Sequence, residues 1–509
     1  MEPKNFNYSL KNIPIAGKLP YMKRMFYHLE HFFGRCRWKL FFFKNKHITP
    51  SGKKTYGFKT SQSPDPQPEL RAFECDLYDM VRNIQFNRYS NDFQKQLKKD
   101  VKEIQASDKV YVSADKTTNI YPMDKDKYLK LRKENVTKCY KTTCDSMKHD
   151  IDREAKNIAT KLEIADRMEV YAEREAFITL KDHKEDFRSN PKCRLINPAK
   201  SEMGIVCKQI IEKICDTLRK RTGYNQWKST QSMLDWFTKL PNRDKRQFLK
   251  FDIVEFYPSI TEKVLKEVLA WVESILPDAF SSTDLEILWN SRKSLLFSGG
   301  KAWQKSNDGT FDVTMGSYDG AEICELVGLF LLSQITLKID KKFVGLYRDD
   351  GLSALDVTGP QAEKLKKQIT TICKKHGFGI TVEKLTPQTD FLEVTLNLHT
   401  GKFWPYRKPN DVPLYVNSKS NHPPCIIKHL PSSINSRVSS VSCDSESFNN
   451  AKPLYEDALK KSGYTGDMSY TPKDTNSSPS KRKRKRNIIW FNPPFNANIM
   501  SPQTLHTSS

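Results

Sequence analysis

Two acids side by side, Asp349 and Asp350, interrupt an otherwise mostly apolar stretch, GLYRDDGLSAL at residues 345–355. Asp is depleted in strands and is rarely buried without a partner. The flanking KKFVGLY and GLSALDV read as two strands, which puts Arg348-Asp349-Asp350 at the tip of a β-hairpin. A second acid has a similar setting, since Asp252 ends the apolar strand FLKFD. Strand-end carboxylates that converge repel one another. Two unit charges ~4 Å apart cost roughly 4 kcal/mol at an effective dielectric of 20. A divalent cation removes that penalty, and Mg2+ favours a few carboxylates together with substrate phosphates. Two such ions about 4 Å apart clamp the attacking and leaving oxygens of phosphoryl transfer. The acids therefore point to nucleotidyl transfer on one condition, that the two strands are neighbours. Periodicity does not establish this, and an exposed turn accommodates the same acids without a partner.

Charge narrows the field of ligands. The 509-residue chain carries 84 Lys and Arg against 60 Asp and Glu, a formal net charge of +24. The run from Lys481 to Arg486 supplies six of these charges, so most of the excess lies elsewhere. A broadly basic chain of this size suits a polyanion, nucleic acid first, although a solvated basic face gives the same count. The eleven cysteines form no CxxC pair. Neither a zinc site nor a disulfide framework is expected, and the reading is a reduced, intracellular protein. The apolar run around Leu326–Leu332 is too short for a bilayer. No membrane partner is expected, although the aromatic, basic stretch YMKRMFYHLEHFFGRCRWKLFFFKNK suits a membrane surface, a nucleic acid or an ordinary amphipathic helix.

Along the chain, residues 1–68 read as a poorly ordered basic, aromatic arm and linker ending in SQSPDPQPE. Helical spacing runs from Leu70 to about Ile104, and KVYVSADK reads as a short strand and turn. AFITL (176–180) and CRLINP (193–198) suggest a hairpin, and GIVCKQIIEKICDTLRKRT (204–222) a helix. RQFLKFDIV is a strand, residues 261–276 a helix, and YDGAEICELVGLFLLSQITLKI a long buried helix. GPQAEKLKKQITTICKKHGFGI is a helix stopped at Gly377, and TDFLEVTLNLHTGKFWPYRKP a further hairpin. Residues 471–509 read as a disordered basic tail.

Several of these pieces together resemble a known family. YRDD (347–350) is similar to the YxDD box of reverse transcriptases, and FDIVEFYPSI (251–260) to their motif A, with Asp252 five residues before the aromatic Tyr257. TMGSYDGAEI (314–323) looks like a divergent motif B, with Met315-Gly316-Ser317 where Pro-Gln-Gly is usual. VEKLTPQTDFL (382–392) resembles motif D running into motif E. The boxes stand in family order, and Asp252 and Asp349 are 97 positions apart. SADKTTNIY (113–121) and SNHPP (420–424) resemble segments of Penelope-like retroelement reverse transcriptases. The resemblance covers roughly residues 70–465. It implies an α+β right-hand polymerase with an antiparallel palm sheet packed on helices. The implied divisions are a helical segment at 69–107, fingers at 108–245, palm at 246–400 and thumb at 401–470.

The resemblance also implies roles. Asp252 and Asp349 would bind Mg2+, with Mn2+ as a substitute and the Ile253 carbonyl as a third donor. Asp350 would tune the site. Tyr257 would be the steric gate that favours dNTPs. Arg194 would brace the triphosphate with help from Lys181 or Lys184. Gly316 would let the backbone approach nucleotide or template, and Lys384 would be the general acid. Partners would be an RNA template, an RNA–DNA or DNA duplex, and dNTPs. Arg407, Lys408, Lys419 and Lys428 would contact the duplex. Lys481–Arg486 fits a nuclear-import signal, with the cytoplasm as a further compartment. No GIY-YIG nuclease segment follows, so a truncated reading frame and a nuclease-free member are both open. Rival readings are an RNA-dependent RNA polymerase, a family B DNA polymerase, and a catalytically silent, reverse-transcriptase-derived nucleic-acid-binding protein.

Overall fold

The computed structural model describes residues 11–45, 56, 64–87, 89–144, 146–165, 168, 171–182, 184, 186–408, 411–472 and 488–499. Its centre is a five-stranded sheet in the order Gly379–Val382, Gln247–Val254, Asp350–Leu355, Val344–Tyr347, Asn225–Gln226. All neighbours run antiparallel except the last pair, which is parallel. Successive strand residues face opposite sides, so the apolar content of Gln247–Val254 serves two cores. Leu249, Phe251 and Ile253 enter one core, shared with helices Met203–Thr222, Glu262–Ile275, Gly320–Ile335 and Gly359–Lys375. Phe248 enters the other, with Leu352 and Ala354, under helix Thr230–Thr238 and strands Gln388–Phe391 and Val394–Asn397.

Helix Gly320–Ile335 lies at the centre of the first core. Of its 16 residues 13 are buried, which is why its sequence shows no polar face. Each buried Leu or Ile there contributes about 1.5–3 kcal/mol through removal from water. Its acids mark the polar edge: Glu322 pairs with Lys208 at 2.8 Å and Glu325 pairs with Arg219.

Two lobes flank the sheet. One holds the hairpins Val110–Ser113 with Ile120–Met123 and Phe177–Leu180 with Cys193–Ile196, joined by a bridge from Ala114 to Leu180. The other is helical, with Pro424–Ser440 and Ser445–Lys461 packed through Ile434, Val438, Phe448, Tyr455 and Leu459. The whole is an α+β right-hand arrangement, with a palm sheet packed on helices that is antiparallel except for its short last strand.

The ends of the chain differ from the sequence reading. Within the expected N-terminal arm, Lys18–Lys44 is a helix burying Tyr21, Met25, Leu29, Phe32 and Phe33. Within the expected disordered tail, residues 488–499 return to that helix, placing Ile489, Phe491 and Ile499 against its core. The Tyr21 hydroxyl donates to the Pro494 carbonyl at 2.9 Å. The physical reason is shared burial, because neither segment covers its aromatics alone. The basic run 481–486 lies outside the described residues. The helical stretch from Leu70 divides into Arg71–Arg82 and Asp92–Ala106, and the last hairpin gains a third strand, Phe403–Pro405. All eleven cysteines are free. Among the described residues no helix is long and apolar enough to cross a membrane.

Candidate active site

The condition on the acids is met by the ladder itself. Asp350 is the direct register partner of Asp252, and the Ile253 amide donates to the Asp349 carbonyl at 3.1 Å. Direct partners in an antiparallel pair project from the same face. Here that is the face of Phe248, Leu352 and Ala354, which are all fully buried, whereas the three acids are only partly covered. The packed face thus opens where the carboxylates stand.

Three local features produce this. Arg348 and Asp349 form a two-residue turn, with Arg348 at φ 55°. A non-glycine residue in the left-handed region costs about 1 kcal/mol or more, and such strain gathers at functional sites. Gly351 faces Phe251 in register, and a Cβ there would stand 2.0 Å from the Phe251 ring. Only glycine lets that ring lie across the ladder beside the acid pair. Glu255, at φ 49°, turns the chain out of its strand into the single helical turn Phe256–Ser259, which carries Tyr257.

The charges press on one another. Burial, and then the charge of Asp349, raises the Asp252 carboxyl above its usual range. Burial, Asp349 and Asp252 push Asp350 up to about 6. Lys116 and Lys250 act in the opposite direction on both, and Lys184 on Asp252. Lys250 is shared with Glu383 at 3.0 Å. Among the described residues no three His, Cys, Asp or Glu side chains gather tightly enough to enclose a metal unaided. Carboxylate oxygens that resist ionisation side by side nevertheless fit a hard cation, provided that substrate phosphate oxygens and water complete its shell. Ile253 remains in the sheet, opposite Ile380.

The other sequence candidates have surroundings of their own. The half-buried Tyr257 has its ring edge 3.5 Å from where a Cβ on Gly320 would stand. Burial, the neighbouring Cys324 and Asp349 raise its hydroxyl pKa, while Arg348 lowers it. Arg194 is paired with the nearly buried Asp115 at 3.2 Å. Burial, and then Arg194, depresses the Lys181 ammonium. Gly316, at φ 123°, makes a close approach to the chain's own backbone, with a Cβ position 2.7 Å from the Asn197 carbonyl. Lys384 is exposed just beyond strand Gly379–Val382. Of the cations expected to contact a duplex, Arg407, just after strand Phe403–Pro405, is held by Asp411 at 2.7 Å. Burial, and then Lys116, brings Lys408 down to about 8, and Asp350 acts on it as well.

The sequence reading did not single out Lys116 or Asp182. Asp182 Oδ2 accepts from the Thr117 hydroxyl at 2.6 Å, the Asn119 amide at 2.8 Å and the Tyr121 hydroxyl at 3.0 Å. It thereby fixes the loop that carries Lys116 toward the acids. The available signal was two polar loops, SADKTTN and KDHKEDF, each following a strand of the same lobe.

No family model matches the chain, and no curated protein matches it. Solved structures with similar folds include telomerase from Candida albicans with a fragment of telomeric RNA. It is 13% identical at a TM-score of 0.47, over 74% of this chain and 68% of that one. Telomerase from Candida tropicalis with such an RNA fragment is 12% identical at a TM-score of 0.42, covering 91% and 88%. The BmCPV RNA-dependent RNA polymerase at its elongation state is 11% identical at a TM-score of 0.36, covering 76% and 32%.

Proposed function

We propose that the chain is an RNA-directed DNA polymerase of retroelement type, most like the Penelope-like reverse transcriptases, extending a primer with dNTPs. One observation carries the reading: Asp252 and Asp350, 98 positions apart, are register partners at an open strand end, with Asp349 at the adjoining turn. A fold that brings like charges together needs a cationic ligand to offset their repulsion.

In this reading Asp252 and Asp349 hold Mg2+, or Mn2+ in its place, with the Ile253 carbonyl as a further donor. When bound, the ions supply charge neutralisation on the phosphates and a more acidic primer hydroxyl. Asp350 sets the local field. Tyr257 fills the space a ribose 2′-hydroxyl requires. Arg194 and Lys181 brace the triphosphate, with Arg194 shared with Asp115, and Gly316 orders the loop beside it. Lys384 serves as the proton donor to pyrophosphate. These tasks are positioning and electrostatic stabilisation, the main protein contributions to phosphoryl transfer. The hairpin lobe acts as fingers and the helical lobe as thumb. The thumb lysines track an RNA–DNA or DNA duplex through its phosphates, so binding weakens as salt rises. The basic run 481–486 directs the protein to the nucleus.

The test is primer extension on RNA and DNA templates with dNTPs or rNTPs, for wild type, Asp252→Asn and Asp349→Ala. Extension of an RNA-templated primer with dNTPs is expected. Both variants should lose it while retaining duplex binding. A wild type that binds duplex but incorporates nothing with Mg2+ or Mn2+ would establish the silent nucleic-acid-binding reading instead.

A further inference from the structure

Between the strand of Asp252 and helix Gly320–Ile335, the chain makes a detour that includes strands Leu296–Ser298 and Lys301–Lys305. Lys305 ends the second of these, in register with Tyr140 of a third strand, Tyr140–Thr142. Its side chain is only 10% exposed. Desolvating an ammonium is costly, so its partners indicate what the position is for.

Three oxygens surround it. The Pro258 carbonyl accepts from Lys305 Nζ at 2.8 Å, Asp308 Oδ2 lies at 3.2 Å and Asp312 Oδ1 at 3.7 Å. Asp312 is itself buried and accepts from the Tyr140 hydroxyl at 2.6 Å. Were neutralisation of Asp312 the whole purpose, its carboxylate would lie nearest to the ammonium. The nearest partner is instead a neutral carbonyl of the single turn Phe256–Ser259, one residue after Tyr257.

On its other sides that turn is anchored by packing, with Tyr257 against Gly320 and Cys324 of helix Gly320–Ile335. Phe256 is buried and packs against Phe378, and the Ser259 hydroxyl caps Glu255 at 2.9 Å. A four-residue turn entered through a left-handed Glu255 does not hold its shape by helix propagation. The lysine adds a charge-assisted bond to the Pro258 carbonyl.

We propose that Lys305 is a positioning residue for sugar selection, its ammonium tethering the Pro258 carbonyl and so fixing where the Tyr257 ring stands. This rests on the reading of Tyr257 as the gate, and it assigns part of the gate's accuracy to a residue 48 positions away that acts through the Pro258 carbonyl. A ring displaced by a fraction of an ångström still supports chemistry but admits the extra hydroxyl more readily.

The test is the ratio of kcat/KM for dNTP over rNTP, with kcat and KM resolved separately, on the full chain. In Lys305→Met the ratio should fall about 10-fold, chiefly through a better KM for rNTP, with dNTP kcat within about threefold of wild type. Lys305→Arg should restore part of the ratio. Since Lys305→Met leaves Asp312 without its counter-ion, Lys305→Met/Asp312→Asn is measured beside it and should show the same loss. In a Tyr257→Ala background, Lys305→Met should change the ratio by less than about twofold, because the group it positions is gone. An unchanged ratio in both Lys305 variants, or an undiminished effect in the Tyr257→Ala background, overturns the inference and leaves the polymerase reading intact. A wild type that extends without sugar preference overturns the gate and this inference together. One that does not extend at all overturns the polymerase reading as well.

Discussion

The central sheet and its helical core hold two groups of charges built on opposite rules. At the strand ends, Asp252, Asp349 and Asp350 are like charges, partly covered, with lysines nearby that only offset them. In the core, Arg292 and Asp319 are opposite charges paired at 1% exposure each, where helix Ser282–Ser291 ends and helix Gly320–Ile335 begins. The second group is neutral in charge within the chain. Removing one partner strands the other charge in a low-dielectric interior. The first group is not neutralised within the chain, and the repulsion among its members burdens the fold. Charges that cost stability and charges that the fold depends on can thus be told apart by what their removal does.

The largest contrast should come from Asp349→Asn. On the proposed polymerase function, incorporation is expected to fall by about 10³-fold or more, since that reading puts this carboxylate at the transferring phosphate. The same change should leave the metal-free protein as stable as wild type or more so, because a like charge has gone. Activity assays and denaturant midpoints on one preparation decide it, and a substantially destabilised variant would make the acid structural. Arg292→Leu should do the reverse. It is expected to cost about 3–5 kcal/mol of stability through the orphaned Asp319, with activity per folded molecule much less affected. A neutral Arg292→Leu would remove the distinction. Gly351→Ala lies between the two groups. Its Cβ meets the Phe251 ring, so about 1–3 kcal/mol of strain is expected, together with weaker incorporation as the acid pair leaves register. Unchanged stability would mean that the ring swings aside freely.

How legible was this in the sequence? Strands and helices with a clear period were, as in FLKFD, KKFVGLY and GIVCKQIIEKICDTLRKRT. The convergence of Asp252 with the hairpin acids was legible only as a condition, because alternation gives a residue's face but not its neighbour strand. The palm sheet's fifth member, Asn225–Gln226, is two residues long and has no period to read. Lys116, Asp182 and Lys305 matter through contacts between distant segments, and polar residues in loops or at strand ends show no pattern that separates them from solvated ones. The helix Lys18–Lys44 was obscured because its aromatics cover more than one face. Part of its burial comes from Phe491 and its neighbours, more than 440 positions away.

The smallest effect sharpens the comparison through pH. Asp350 is raised to about 6 in the folded chain, against an ordinary value of 3.8. Well below the ordinary value of 3.8 the carboxyl is protonated in folded and unfolded chains alike, and its contribution to stability is fully present. As pH climbs from about 4 through 6 the unfolded chain releases this proton more readily, so the contribution is lost across that window. At pH 7.5 the ionised Asp350 is therefore a net cost, of about 1 kcal/mol once solvent screening is allowed for. Asp350→Asn carries no such loss. In the presence of a chelator it should be about 1 kcal/mol more stable than wild type at pH 7.5, with the advantage mostly gone at pH 4. Urea midpoints at the two pH values measure this directly. An advantage of the same size at both would trace the gain to packing rather than charge. Replacing the chelator with Mg2+ should then shrink the pH 7.5 advantage, since a bound cation relieves the repulsion that the substitution removes. Arg292→Leu should show no comparable response to Mg2+, because its missing charge was never completed by a ligand.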